Sequence, residues 1–160
     1  MAAINLIRQF QFNQMTLTRL LADVTSDESL REIETAGKSV NWIAGHIIVA
    51  RGKLLSALGA EPSWYPALMA MYGGQEAGKY SADKAKSVSE LQTLIEETLN
   101  SLTDTLTAVE TKLADPCDVL PHVKSGGTVA DRVGAFACHE AYHVGQIGLM
   151  RRLLGKPGLF

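Results

Sequence analysis

Apolar residues recur every three to four positions along four separate stretches of the chain, and the polar interruptions fall where helices would end. Leu6, Phe10, Leu17, Leu21 and Val24 keep helical spacing with Leu20 beside them, which predicts an amphipathic helix over residues 4–25. Asn13 and Gln14 stand where the next core residue belongs, so a polar contact inside the bundle is expected there. Residues 26–38 form a charged connection, and Ser39 is placed to cap a second helix. That helix carries Val40, Ile43, Ile47, Leu54 and Leu58 on one stripe, with Gly59 as its stop and His46 on the same face.

Residues 60–86 contain Pro62, Pro66, Gly73-Gly74 and Gly78 interleaved with aromatic residues, which predicts a long loop with one short helical turn around residues 67–71. Ser87 and Glu90 make a capping box. Leu91, Leu94, Thr98, Leu102, Leu106, Val109 and Leu113 then continue a third helix up to Asp115-Pro116. A second irregular stretch, 116–127, leads to Thr128, which caps a final helix through Leu154 before Gly155-Lys156-Pro157-Gly158. No stretch alternates as a half-buried strand does. The expectation is an all-α, single-domain protein over 1–160. It is a four-helix bundle with long loops between helices 2 and 3 and between helices 3 and 4, long enough for crossover topology.

Composition narrows the function. The 160 residues are 46% hydrophobic, enough for one substantial core. Fifteen Lys and Arg against 17 Asp and Glu give a charge of −2 without a basic block, so nucleic acid is not an expected partner. Arg8 and Gln9 break the apolar N-terminus, and no apolar run approaches the ~18 residues of a membrane span. Cys117 and Cys138 make no CxxC pair and no disulfide framework. A reduced, cytoplasmic protein fits these features.

The chemistry sits in His139-Glu140-Ala141-Tyr142-His143. An α-helix brings i and i+4 side chains onto one face roughly 5–6 Å apart, so two neutral imidazoles reach one cation without bending the backbone. Both histidines, and Glu140 with them, interrupt the stripe formed by Val133, Phe136, Ile147, Met150 and Leu154. Burying a polar group without a partner costs about 1–3 kcal/mol, so a shared ligand is the economical explanation. His46, on another apolar stripe, is the candidate third ligand. Three neutral imidazoles leave the full charge on a divalent ion and a position open for water or substrate. Imidazole suits Zn, Ni, Fe, Mn and Co alike, so one divalent metal per chain is expected without its identity.

The same letters satisfy H-E-x-x-H, in which the glutamate serves a zinc peptidase as general base. The third ligand of such enzymes lies downstream, and the 17 residues after His143 contain no His, Asp or Glu. Glu140 therefore stands either as a base near the metal or as a helix carboxylate that is exposed or supports the ligands from behind.

The segments Ser39-Val40-Asn41-Trp42-Ile43-Ala44-Gly45-His46 and His139-x3-His143-Val144-Gly145-Gln146, together with Arg151-Arg152-Leu153-Leu154-Gly155, resemble the DinB/YfiT-like superfamily over nearly the whole chain. The resemblance implies a four-helix bundle with a divalent metal, often nickel or zinc, on one histidine of the second helix and two of the fourth, here His46, His139 and His143. It also implies a homodimer. Some members are thiol S-transferases using bacillithiol, mycothiol or glutathione; others are isomerases or metal hydrolases. The expected activity is transfer of a low-molecular-weight thiol to a small electrophile. A hydrolase of small amides or esters is one alternative, and a non-catalytic, stress-related metal protein is another.

Further residues carry weaker signals. Gln146, seven after His139, orients a metal-bound water or merely packs. Asn13 approaches the same cavity or bonds locally. Trp64, Tyr65 and Tyr72 line a substrate pocket, Trp64 first, or only anchor their loop. Trp42 is expected to pack, His122 to lie at the surface or lend a fourth ligand, and Cys138 to be a buried thiol. Gly73-Gly74-Gln75 lacks the residues of a phosphate loop.

Overall fold

The structure, a computed structural model, describes residues 2–33, 38–74, 81–120 and 123–159. Its long helices are α1 (Ala2–Leu21), α3 (Val40–Ala57), α5 (Val88–Ala108) and α6 (Val129–Leu153). Short helices α2 (Ser26–Leu30) and α4 (Tyr65–Tyr72) stand in the connections, with single 3₁₀ turns at Ala82–Lys84 and Glu110–Lys112. The helix starts follow side-chain chemistry. Thr25, Ser87 and Thr128 each accept from the backbone three residues on, while Glu28, Glu90 and Asp131 reach back to the cap, and Ser39 caps α3 through the Trp42 amide. Gly59, at φ 91°, and Gly155, at φ 81°, take the left-handed conformation that terminates α3 and α6.

Two expectations are corrected. The third helix stops at Ala108 rather than Leu113, because the chain tightens into the 3₁₀ turn at 110–112. Part of the stretch expected to be irregular pairs as an antiparallel hairpin, β1 (Pro116–Leu120) with β2 (Val123–Thr128), Cys117 opposite Gly127 and Asp118 opposite Gly126. Two glycines and a proline hid it from a search for alternating strands. Arg132 of α6 donates to the Asp118 carbonyl and ties the hairpin to the helix.

The long helices form a four-helix arrangement in which α1 packs on α5 and α6, and α3 packs on the same two helices. Helices α1 and α3 are therefore diagonal, as are α5 and α6, so the crossings are made by the first and last connections, whereas the loop between α3 and α5, expected to be long enough to cross, joins neighbouring helices. The core divides into two apolar clusters. One gathers Leu17, Ile43, Ile47, Leu91, Ile95 and Ile147; the other gathers Ile7, Phe10, Leu54, Leu102, Leu106 and Val133.

Polar side chains from all four long helices meet inside this core. Arg51 of α3, 1% exposed, donates from Nε and Nη2 to the two carboxylate oxygens of Glu140 of α6, both at 2.8 Å. Its Nη1 donates to Gln14 Oε1 of α1 at 3.0 Å, and to the Ile95 carbonyl and Thr98 Oγ1 of α5 at 2.6 and 3.2 Å. Beside it, Asn13 Nδ2 donates to the Ala137 carbonyl at 3.0 Å. The polar contact expected at Asn13 and Gln14 is thus present, and its centre is an arginine. An ion pair removed from water costs several kcal/mol per charge unless every donor is met, and here each arm of the guanidinium has an acceptor.

Candidate metal centre

Helix α3 supplies one imidazole and α6 two. The ring centroids of His46, His139 and His143 lie 4.8, 5.4 and 4.4 Å apart for the pairs 46–143, 46–139 and 139–143. One ligand atom from each falls within 4.8 Å of the others, and among the described residues this is the group able to hold a metal ion. The Nε2 atoms of His139 and His143 face each other at 3.1 Å. With metal–nitrogen bonds of ~2.0–2.1 Å, neighbouring ligand nitrogens sit about 2.9 Å apart at a right angle and about 3.3 Å apart in a tetrahedron. The observed separation lies between the two.

Two of the remaining ring nitrogens are spoken for. His46 Nδ1 donates to the Tyr72 carbonyl at 2.8 Å. That carbonyl belongs to the last turn of α4, where four C=O groups lack helical partners, so the helix end supplies a free acceptor. His143 Nδ1 donates to Gln146 Oε1 at 2.7 Å, and Gln146 Nε2 donates to the Tyr142 hydroxyl at 3.1 Å. Both acceptors fix the proton on Nδ1 and leave Nε2 with its lone pair toward the cluster. The Trp42 ring stacks on His46 at 4.9 Å and 10°, so its packing role includes holding a ligand plane.

Burial pushes all three imidazoles below the ordinary histidine value. His143 falls furthest, to about 4, from burial first and the neighbouring His139 second, against the upward pull of Gln146. His46 is lowered by burial, offset in part by the Tyr72 carbonyl, then by the Lys38 and Lys53 charges; His139 by burial, His46 and Lys53. Neutral imidazoles at neutral pH are the form that binds a metal. Donor type, lone-pair direction and separation all fit one divalent cation on three protein ligands. Such an ion supplies Lewis acidity and an open coordination position.

The other singled-out residues separate from this cluster. Glu140 turns into the bundle, where Arg51 engages both its oxygens, so the geometry does not carry the general-base reading. The buried stripe of α6 runs Val133, Ala137, Glu140, Val144, Ile147 and Arg151; His143 lies at its edge, 9% exposed, and His139 is exposed. The stripe drawn from sequence was therefore rotated. Asn13 lines an open apolar groove of about 320 Å³ with Phe12, Ala137, Cys138 and Ala141, on the flank of α6 that faces α1. Cys138 is exposed there, not buried.

Tyr72 is fully buried rather than pocket-lining. Its ring lies on Gly45, where a Cβ would collide with it, and its hydroxyl donates to Asn41 Oδ1 and accepts from the Lys86 amide. Trp64 is half-buried against Gly52, six residues beyond His46, with Tyr65 edge-on at 6.3 Å. His122 lies outside the described residues. Sequence reasoning missed Arg51 and the Tyr72 carbonyl. A signal existed for the first, since Arg51 follows Ile47 by four and precedes Leu54 by three on an apolar stripe. A main-chain acceptor leaves no such mark.

A four-helix bundle carrying three converging imidazoles is the class of protein that fold and site define. The sequence profile of the DinB superfamily matches residues 9–147, and the chain belongs to that superfamily. No curated protein and no solved structure matches it. No described helix is long and apolar enough to cross a membrane.

Proposed function

We propose that the chain is a divalent-metal enzyme that activates a low-molecular-weight thiol for attack on a small electrophile. The observation that carries the reading is the Nε2 pair of His139 and His143 at 3.1 Å, with His46 completing a set of three neutral donors within 4.8 Å. A divalent cation held by His46, His139 and His143 would retain its full charge and would favour the thiolate form of a bound thiol, with nickel and zinc the first candidates.

This chain's residues do the rest by positioning. Tyr72 and Gln146 hold the His46 and His143 tautomers, Trp42 holds the His46 plane, and Arg51–Glu140 fixes α6 against α3 one residue past His139. In the reaction a carbon–sulfur bond forms between the thiolate and the electrophilic carbon. The leaving group departs with its bonding pair, or an epoxide oxygen takes a proton from solvent, and the thiol proton passes to water. Glu140, next to His139 in the chain, is engaged on both oxygens by Arg51 and so is not free to serve as a base for hydrolysis, which favours sulfur over water as nucleophile.

The test is turnover of a chlorodinitrobenzene-type or epoxide electrophile by metal-loaded protein across bacillithiol, mycothiol and glutathione. Metal-dependent consumption of both thiol and electrophile is expected. Thiol-independent hydrolysis of a small amide or ester would instead support a hydrolase, and no turnover in either assay would leave a binding role.

A further inference from the structure

Two lysines flank the cluster. Lys53 follows His46 by seven positions on α3, so it lies on the same face two turns along, about 10 Å further down the axis. Lys38 approaches from the other side. Its Nζ sits 4.2 Å from the centre of the Trp42 ring, whose plane stacks on His46 at 4.9 Å. Both lysines are exposed, and neither pairs with a carboxylate among the described residues. The acidic residue nearest in sequence, Glu140, is neutralised by Arg51 in the core.

A divalent ion on three neutral ligands, flanked by two ammonium groups that pair with no carboxylate among the described residues, would make a positive field. Fields of this kind select anions and raise their local concentration. We infer that the site takes an anionic ligand: a small molecule that places a thiol at the cation and a carboxylate or comparable anion on Lys53, with Lys38 adding a second attraction beside Trp42. The thiol half of this inference rests on the function proposed above; the anionic half rests on the two lysines. The spacing gives the ligand a size. With Lys53 two helical turns beyond His46, a spacer of several atoms between sulfur and carboxylate is expected to suit the pair better than a single carbon.

The experiment titrates cobalt-loaded protein with a series of ω-mercaptocarboxylates and, in parallel, mercaptoalcohols of equal length, following the sulfur-to-cobalt charge-transfer band. The parent is expected to bind the longer mercaptocarboxylates about three- to fivefold more tightly than the matching alcohols, the size of a solvent-exposed ion pair. The preference should shrink at high salt. Lys53→Gln should abolish most of it and Lys38→Gln part of it, with the alcohols binding both variants as they bind the parent. Comparing one thiol on parent and variant removes differences in thiol acidity. Equal binding of acid and alcohol by the parent, or an undiminished preference in both variants, would overturn the inference while leaving thiol activation standing. Absence of the band with every thiol on fully loaded protein would overturn both.

Discussion

The imidazole of His46 hangs by its Nδ1 from the main-chain carbonyl of Tyr72, 26 residues away, at 2.8 Å. The contact exists because Gly45, the residue before His46, has no side chain: the Tyr72 ring occupies the place of its Cβ. A glycine, a buried ring and a helix-terminal carbonyl thus aim one nitrogen at the cluster.

Gly45→Ala should therefore damage stability and metal binding together. Overpacking a full core costs about 1–3 kcal/mol, and displacing Tyr72 removes the His46 acceptor. Loss of such an outer partner lowers metal affinity roughly 10- to 100-fold. Denaturant unfolding and competition with a chromophoric chelator measure the two effects. Gly134→Ala, inside α6 where a Cβ meets open space, should leave metal binding unchanged and raise stability by about 0.5–1 kcal/mol.

Gln146→Ala should separate what Gly45→Ala combines. The amide is partly exposed and serves the His143 tautomer, so affinity should fall about tenfold while the unfolding midpoint barely moves. Gln146→Glu keeps the acceptor and should restore binding.

Breaking the Arg51–Glu140 pair from one side, by Glu140→Ala or Arg51→Ala, should cost about 3–5 kcal/mol in chemical denaturation because a charge is left buried and unpaired. Replacing both with apolar residues of similar volume should recover much of that loss. Were Glu140 instead a general base, the conservative Glu140→Gln would abolish turnover with little loss of stability; the geometry predicts the reverse order of effects.

The metal-free protein should lose stability as pH falls from about 6.5 toward 4. His143 titrates near 4 when folded and near the ordinary imidazole value when unfolded, so between these values the unfolded chain binds more protons and acid favours it. His46 and His139 shift in the same direction and add to the slope. Thermal unfolding across this range, with and without His143→Ala, reads it out. Metal affinity should decline over the same interval, since protons and cation compete for the same nitrogens.

The long helices and their caps were legible because period, capping side chain and terminal glycine agreed at Ser39, Gly59, Ser87, Thr128 and Gly155. His46, His139 and His143 were legible because i, i+4 spacing is a local geometric fact, and because each interrupted an apolar run. What local pattern could not carry was rotation about the α6 axis. Placing both histidines at the centre of the buried stripe left Glu140 beside a metal, whereas packing against α1 and α3 centres the stripe on Val133, Ala137, Glu140 and Val144. Tyr72 was misplaced for a related reason. An aromatic in a Pro- and Gly-rich segment gives no sign that a partner helix has a glycine waiting for it.

Sharing of one divalent ion by His46, His139 and His143 is read by elemental analysis of the purified parent beside His46→Ala, His139→Ala and His143→Ala, each checked for helical content. One equivalent of metal per chain is expected in the parent and little in any of the three variants. A parent that takes up no stoichiometric metal when nickel, zinc or cobalt is supplied, or folded variants that retain the full equivalent, would contradict it.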